Sequence, residues 1–134
     1  MERLLELEVI TAERRVLHER AESIILPAAN GYLGILPGHA PMIAGLTVGV
    51  LQFGPYGNEK RRMAISGGFA EVAHDRVTVL ADTAELAEEI DLERALRARA
   101  RAEERLRSRR PDIDYHRAEM ALRRALNRIK AAQG

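Results

Sequence analysis

An aspartate and an arginine one helical turn apart are the side chains in this sequence best suited to hold a charged ligand. Asp91 and Arg94 lie in the segment IDLERA, residues 90–95. A carboxylate accepts hydrogen bonds from amines and hydroxyls, and a guanidinium matches the oxygens of a phosphate or a carboxylate. The same spacing also fits an aspartate that only caps a helix. Both interpretations stay open at this point.

Further arginines recur at helical spacing after Arg94. They are Arg97, Arg101 and Arg105 in the first helical segment, and Arg117, Arg124 and Arg128 in the second. Such a row is either a solvated helix face or an anion site for a nucleotide phosphate or an acidic protein surface. Nucleic acid is not expected as the anion, because aromatic residues make up only 4% of the chain and leave few platforms on which bases could stack.

Catalytic and metal-binding constellations are not visible in the sequence. Ser66 precedes two glycines, but Ala64 stands where the G-x-S-x-G elbow of serine hydrolases has its first glycine. The 4 histidines are far apart and the chain has no cysteine, so neither a metal-ligand spacing nor a thiolate site is present. We expect no enzymatic activity and no metal site.

Residues 31–41, GYLGILPGHAP, combine turn-forming residues with an apolar centre. The stretch contains three glycines and two prolines, which adopt or impose backbone angles that shape tight turns. This pattern predicts a short strand between two turns, on a surface that presents something to a partner. His39 in this setting is expected to be a hydrogen-bonded turn residue rather than a base.

Charge is distributed unevenly along the chain. Residues 1–90 hold 8 basic and 13 acidic side chains, whereas residues 91–134 hold 13 basic and 7 acidic ones. Together with a change in residue types near position 84, this predicts two modules, residues 1–84 and 85–134, with different partners. No apolar run approaches the roughly 18 residues of a membrane-spanning helix, and the acidic start is unlike a signal peptide.

The first module has the pattern of short antiparallel strands. Apolar residues alternate with glutamates over residues 5–9, and later apolar runs are separated by turn residues. Glycines are expected to divide residues 41–53 into two strands, and to separate a strand over 61–65 from one over 69–72. Many short strands with frequent turns indicate a sandwich or a barrel.

The second module is rich in helix formers. Asp91 is predicted to cap a helix that begins at Leu92, Pro111 to end it, and Asp112 or Asp114 to cap the next. The predicted apolar stripes are Leu92, Ala95, Leu96, Ala102 and Leu106 on the first helix, and Tyr115, Ala118, Leu122, Ala125, Leu126 and Ile129 on the second. Because the stripes are narrow and rich in alanine, their pairing buries little apolar area. A ligand or a partner could therefore change how the hairpin packs.

Several segments, in this order along the chain, resemble the epsilon subunit family of F-type ATP synthases. Residues 31–41 are similar to its GxLGILPGHxP signature, residues 65–72 to its SGGFxEV strand pair, residues 77–81 to its last sandwich strand and residues 112–128 to its second helix. Residues 90–95 match its I/L-D-x-x-R-A signature. The resemblance implies a β-sandwich of about ten short antiparallel strands, followed by a C-terminal antiparallel two-helix hairpin.

For the sandwich, the resemblance implies a non-catalytic place in the central stalk of the rotor. There it would bind the gamma subunit and rest on the ring of c subunits. Gly31, Tyr32, Leu33 and Gly34 would contact the c ring, and His39 would contact the stalk. The family often has an acidic residue at position 32, so Tyr32 is compatible with a packing contact rather than a charge pair. The implied location is peripheral, on the cytoplasmic face of the bacterial plasma membrane.

For the hairpin, the resemblance implies regulation by ATP rather than a catalytic cofactor. The residues implied to bind ATP, with or without Mg²⁺, are Glu85, Ile90, Asp91, Arg94, Ala95, Arg101 and Arg128. ATP would favour the hairpin folded on the sandwich. The extended hairpin would reach the alpha and beta subunits, meet an acidic loop of beta with its basic face, and block ATP hydrolysis. The alternative is a free-standing nucleotide- or anion-binding module of the same fold.

Overall fold

The computed structural model describes residues 3–57 and 59–134, which form eight β-strands, a 3-10 turn and two α-helices. The strands are β1 (Leu5–Ile10), β2 (Arg15–Ala21), β3 (Ser23–Ala28), β4 (Gly31–Ile35), β5 (Met42–Gly54), β6 (Arg61–Ala73), β7 (Arg76–Ala81) and β8 (Ala84–Leu86). The 3-10 turn (Ala87–Glu89) leads to α1 (Leu92–Arg107) and α2 (Tyr115–Gln133).

The strands are hydrogen-bonded in the order β2-β1-β7-β6-β5-β3-β4, with β8 also paired to β6. β1 and β7 are parallel, and the other pairs are antiparallel. The sheet folds over into two layers, because Leu17 on β2 and Ile35 on β4, near its opposite ends, belong to one buried core. The expected fold class, a sandwich followed by a helical hairpin, is confirmed.

Two long strands account for the number of strands. β5 and β6 each have 13 residues, whereas the sequence pattern suggested two short strands in place of each. They pair with one another from Met42 opposite Val72 to Phe53 opposite Arg61, so the glycines of β5 do not end it. The described residues therefore form eight strands rather than about ten.

β6 passes from one layer to the other at Gly67 and Gly68. Their φ angles are +77° and +117°, a region that favours glycine. A Cβ on Gly68 would clash with the Leu80 carbonyl oxygen, so a larger residue does not fit. Before this bend β6 pairs with β8, and after it β6 pairs with β7.

The two helices are capped by aspartates, as predicted. An oxygen of Asp91 accepts from the Arg94 backbone N–H at 3.1 Å, and an oxygen of Asp114 accepts from the Arg117 N–H at 3.0 Å. The apolar stripes are narrower than predicted, because Leu96, Tyr115 and Leu126 are exposed. The buried residues of the two helices are Ala95, Ala102, Ala118, Ala125, Ile129 and Ala131. Neither helix is long and apolar enough, over the described residues, to cross a bilayer.

The hairpin is docked on the outer face of the sandwich through α2. Val50 and Ala64, side by side on β5 and β6, are buried against Ala131. The Asn127 amide donates to the Gly49 carbonyl at 2.8 Å, and the Arg62 Nε donates to the Ala131 carbonyl at 2.8 Å. The contact therefore combines a small apolar cluster with hydrogen bonds, and it leaves clefts along its margin.

Candidate functional site

A cleft of about 290 Å³ lies at the joint between the sandwich and the hairpin. Its lining residues are Glu85, Glu89, Ile90, Asp91, Arg94, Ala95, Ala98, Arg101 and Arg128. They come from β8, from the 3-10 turn and the segment after it, and from both helices. All seven residues for which the resemblance implied ATP binding are in this set. We call it the joint cleft.

Two lining residues, Glu89 and Ala98, were not among the residues named from the sequence. Glu89 directly precedes the IDLERA segment. Ala98 is one turn beyond Arg94 and one turn before Arg101, so helical spacing could have identified it. Ala95 and Ala98 have short side chains, and this leaves open space between the arginines of α1.

The Asp91 carboxylate caps α1 and also lines the cleft. Its Oδ1 atom accepts from the Arg94 backbone N–H. A carboxylate has two oxygens and about four lone-pair sites, so capping leaves capacity to accept a hydrogen bond from a ligand. The two interpretations of the Asp91–Arg94 spacing are therefore compatible in one structure.

An ion pair closes one side of the cleft. The Nε atom of Arg128 on α2 lies 2.8 Å from Oε1 of Glu85 on β8, and this pair links the hairpin to the sandwich. Arg94 and Arg101 make no ion pair with any residue of the described ranges 3–57 and 59–134. Guanidinium groups from both helices thus face a polar cleft and can donate to oxyanions.

The cleft has the chemistry to hold a nucleotide. Arginine donors suit phosphate oxygens, and the carboxylates can accept from an amine or from ribose hydroxyls. A volume of about 290 Å³ is close to the lower end, roughly 300 Å³, of typical ligand pockets. The arrangement can therefore hold a compact ligand that carries both anionic oxygens and hydrogen-bond donors.

Residues 31–34 lie on β4, which is at one edge of the described sheet and pairs with β3. Gly31, Tyr32 and Gly34 are exposed, and Leu33 packs partly against the core. The Tyr32 hydroxyl accepts from the Val50 backbone N–H at 3.3 Å. This contact lies where the β3–β5 pairing shifts register, an irregularity that the sequence pattern did not indicate.

The turn that contains His39 is held by a carboxylate from another loop. The His39 ring Nδ1 lies 2.7 Å from the Ala40 carbonyl, as expected for a turn residue. Asp75, between β6 and β7, accepts from the Gly38 N–H at 2.6 Å and pairs with Arg3. These hydrogen bonds hold the pKa of the Asp75 carboxyl below its ordinary value, and the one from Gly38 has a larger effect than the one from Arg3.

Large apolar side chains are exposed on the outer face of the layer that α2 does not cover. Ile43, Phe69 and Leu80 are 72%, 61% and 54% exposed. Phe69 lies opposite Leu80 in the β6–β7 pairing, and Ile43 is two residues along β5 from the partner of Phe69. Such a patch is typical of an interaction site. We call it the open apolar patch, and sequence analysis did not identify it.

Two family models together match almost the whole chain. The ATP synthase, Delta/Epsilon chain, beta-sandwich domain matches residues 4–87. The ATP synthase, Delta/Epsilon chain, long alpha-helix domain matches residues 88–133. The division between the two matches falls within the 3-10 turn, next to the joint cleft.

Relatives of similar length match from end to end. The ATP synthase epsilon chain of Moorella thermoacetica is 55% identical over 128 residues, covering 96% of each chain. That of Symbiobacterium thermophilum is 52% identical over 129 residues, covering 96% of this chain and 92% of the relative.

A solved structure agrees with these matches. A chain in the cryo-EM structure of Euglena gracilis mitochondrial ATP synthase, OSCP/F1/c-ring in rotational state 1, superposes with a TM-score of 0.81 at 27% identity, covering 98% of this chain and 82% of that one. Sequence, length and structure agree: this chain belongs to the ATP synthase delta/epsilon chain family.

Proposed function

We propose that this chain is a non-catalytic central-stalk subunit of an F-type ATP synthase, which couples proton transport to ATP synthesis. Its hairpin inhibits ATP hydrolysis when it is extended, and bound ATP keeps it docked. The observation that carries the regulatory part is the joint cleft, whose lining comes from both sides of the hairpin–sandwich joint. The proposed division of labour gives stalk binding to residues 1–84 and regulation to residues 85–134.

ATP is the ligand proposed for the joint cleft. Arg94, Arg101 and Arg128 bind the phosphates, alone or together with Mg²⁺, while Asp91 and Glu85 accept from the adenine amine or the ribose hydroxyls. Ile90 and Ala95 contribute the apolar contacts. Because Glu85 is on the sandwich and Arg128 on α2, a ligand that contacts both binds the docked form more tightly. A ligand at 100 times its Kd stabilises the form that binds it by about 2.7 kcal/mol.

The docking contact is weak enough to be reversible. Its apolar part is small, namely Val50, Ala64 and Ala131 with Ile90 at the margin. Each hydrogen bond across it contributes a net amount of only about 1 kcal/mol. A released hairpin presents its arginines to the alpha and beta subunits, where the acidic loop of beta is the complementary surface.

The sandwich carries the constant contacts. The open apolar patch and His39 are proposed to face the gamma subunit, and residues 31–34 the ring of c subunits. Tyr32 brings a phenol to that contact and no charge. The chain is then a peripheral part of the complex, and we place it on the cytoplasmic face of the bacterial plasma membrane.

The test of the nucleotide site is ATP binding by the full-length chain. Asp91→Ala/Arg94→Ala is expected to weaken binding at least tenfold, since each removed charge-assisted hydrogen bond contributes about 1.5–3 kcal/mol. Arg105→Ala is the matched control, because Arg105 is exposed on α1 outside the cleft. Equal ATP binding by all three proteins would show that the site is assigned wrongly.

The test of the regulatory role is ATP hydrolysis by a complex of alpha, beta and gamma to which each protein is added. Wild type should inhibit ATP hydrolysis at low ATP, and this inhibition should be relieved at high ATP. Asp91→Ala/Arg94→Ala should inhibit hydrolysis at both concentrations. Suppression that does not depend on ATP in wild type would contradict the switch. Failure to co-purify with gamma, alpha and beta would favour the free-standing module.

A further inference from the structure

The face of α2 that lies on the sandwich differs from the apolar stripe predicted for this helix. Met120 and Arg124 line a groove against β5 and β6. Asn127 donates hydrogen bonds to both strands, and Ala131 belongs to the small buried cluster beneath the helix. These positions follow one another at spacings of four, three and four residues, which is the period of one helix face. We call them the docking stripe.

Apolar packing along the docking stripe is slight. Of its four residues only Ala131 is buried, and its side chain is a single methyl group. A methyl group buries little area and fits many surfaces. Packing therefore distinguishes only weakly between the observed position of α2 and one displaced by a helical turn, about 5.4 Å along the axis. The register of the helix on the sheet needs a second determinant.

Asn127, in the middle of the docking stripe, makes directional contacts with the sheet. Its side-chain nitrogen donates to the Gly49 carbonyl at 2.8 Å and to the Ile65 carbonyl at 3.4 Å. Gly49 on β5 and Ile65 on β6 are opposite one another in the strand pairing, so one NH₂ group bridges two strands. Hydrogen bonds tolerate displacements of only a few tenths of an ångström. A shift of α2 by one turn would therefore break both.

We propose that Asn127 is a positioning residue, which sets the register of the docked α2 and thereby places Arg128 in the joint cleft. Arg128 is the next residue of the helix, and its Nε atom lies 2.8 Å from Oε1 of Glu85 on β8. A displacement of one turn would take this guanidinium out of reach of Glu85. A single asparagine in an otherwise apolar helix contact can fix register in the same way, at some cost in stability. The link to Arg128 rests on the proposed function, whereas the register does not.

Two substitutions of Asn127 separate its donors from its shape. Asn127→Ala removes both donors and adds no charge. Asn127→Asp keeps the size of the side chain, but an ionised carboxylate has no donor and would face two carbonyl oxygens. Gln133→Glu is the matched control, because it makes the same amide-to-carboxylate change at an exposed position of α2. Among the described residues, the core of the sandwich includes none from either helix, so the sandwich should stay folded in all three variants.

The register is tested without nucleotide, by the distance between two spin labels on the full-length chain. The chain has no cysteine, so Glu71→Cys on β6 and Arg123→Cys on α2, both at exposed positions, give unique labelling sites. Wild type and Gln133→Glu should each show one narrow distance. Asn127→Ala should give a broader or displaced distribution, and Asn127→Asp a larger change in the same direction. A distribution that stays narrow and unchanged in Asn127→Ala would overturn the proposal.

ATP titration tests the link between Asn127 and the joint cleft. Asn127→Ala should weaken ATP binding about tenfold, since a hydrogen bond lost from a half-buried contact has an effect of this order. In a protein that already carries Arg128→Ala, the further loss should be much smaller, because the effect of Asn127 passes through Arg128. Equal losses in the two backgrounds would contradict the positioning role. If wild type does not bind ATP, the proposed function fails, and the label distances still decide whether Asn127 sets the register.

Discussion

The outer faces of the two sandwich layers differ, although β5 and β6 contribute to both. On one face Gly49, Val50 and Ala64 are small and buried beneath α2. On the other, Ile43 and Phe69 are large and exposed. Small residues let a helix approach the sheet with little apolar burial, whereas large exposed residues offer much apolar area to a partner.

This difference fits the proposed function, in which the contact on one face is releasable and the contact on the other is persistent. Hydrogen bonds from Asn127 and Arg62 hold the hairpin, each worth a net amount of about 1 kcal/mol. Full burial of a side chain such as Phe69 is worth about 1.5–3 kcal/mol. Under the proposed function, the chain therefore covers one face with a segment that is released and keeps the other face for a partner that remains bound.

The largest expected effect follows from truncating the centre of the open apolar patch. Phe69→Ser should lower the affinity for a complex of alpha, beta and gamma by at least 30-fold, because central aromatic residues of an interface typically contribute about 2 kcal/mol or more. ATP binding should be unchanged. The measurement is the Kd for the complex by a binding titration.

Tyr56→Ser is the matched control for the patch, because Tyr56 is also an exposed aromatic residue, in the turn after β5. It should leave the affinity unchanged. If Phe69→Ser binds as tightly as wild type, the open face is not the persistent contact and the comparison of the two faces loses its functional meaning.

Two glycines of β5, Gly45 and Gly49, differ in how closely their surroundings are packed. A Cβ at Gly49 would clash with Cβ of Pro27 and lie 3.2 Å from the Tyr32 hydroxyl, whereas a Cβ at Gly45 would meet nothing within 4 Å. Gly49→Ala should therefore destabilise the protein by about 1–3 kcal/mol. Gly45→Ala should stabilise it by about 0.4–1 kcal/mol, by restricting the unfolded chain.

Chemical denaturation of the two variants measures this difference, with helical and sheet signals followed separately. Because the added Cβ meets Pro27 on β3 and Tyr32 on β4, loss of the sheet signal should shift to lower denaturant in Gly49→Ala. Equal stabilities of Gly45→Ala and Gly49→Ala would mean that β5 is not packed as closely against Pro27 and Tyr32 as the structure indicates.

Local patterns predicted the elements and their ends better than their three-dimensional arrangement. Asp91 and Asp114 could be identified as caps because capping depends on residues within one turn. The prediction that the glycines of β5 would end a strand was wrong. A strand can continue through a glycine when the neighbouring strand provides the backbone hydrogen bonds. That neighbour, β6, lies beyond the reach of a local pattern.

The two candidate sites show the same limit. The joint cleft was largely accessible from the sequence, because six of its lining residues lie within residues 90–101 and share one helix or its start. The open apolar patch was not, because Ile43, Phe69 and Leu80 lie on three different strands and meet only through sheet pairing. Such a patch is formed by contacts between residues far apart in the chain, and a periodic pattern in the sequence does not reveal these contacts.

The smallest expected effect concerns Asp75, whose carboxylate accepts a hydrogen bond from Gly38 in the turn that contains His39. The pKa of its carboxyl is lowered from an ordinary value of 3.8, so the folded state holds this proton less tightly than the unfolded state does. Its contribution to stability is present above about pH 4 and is lost as the pH falls through the folded-state pKa. Asp75→Asn keeps an oxygen for the Gly38 N–H but removes the charge that pairs with Arg3 and the titration itself. The variant's thermal midpoint should therefore fall less steeply than that of wild type as the pH is lowered from about 5 to 2.

Glu6 and Glu88, whose pKa values are also lowered, titrate in both proteins and cancel in the difference. Parallel curves would show that the Asp75 carboxylate does not stabilise the folded turn. The turn would then have to be held in place by the apolar contacts of Leu33 and Ile35.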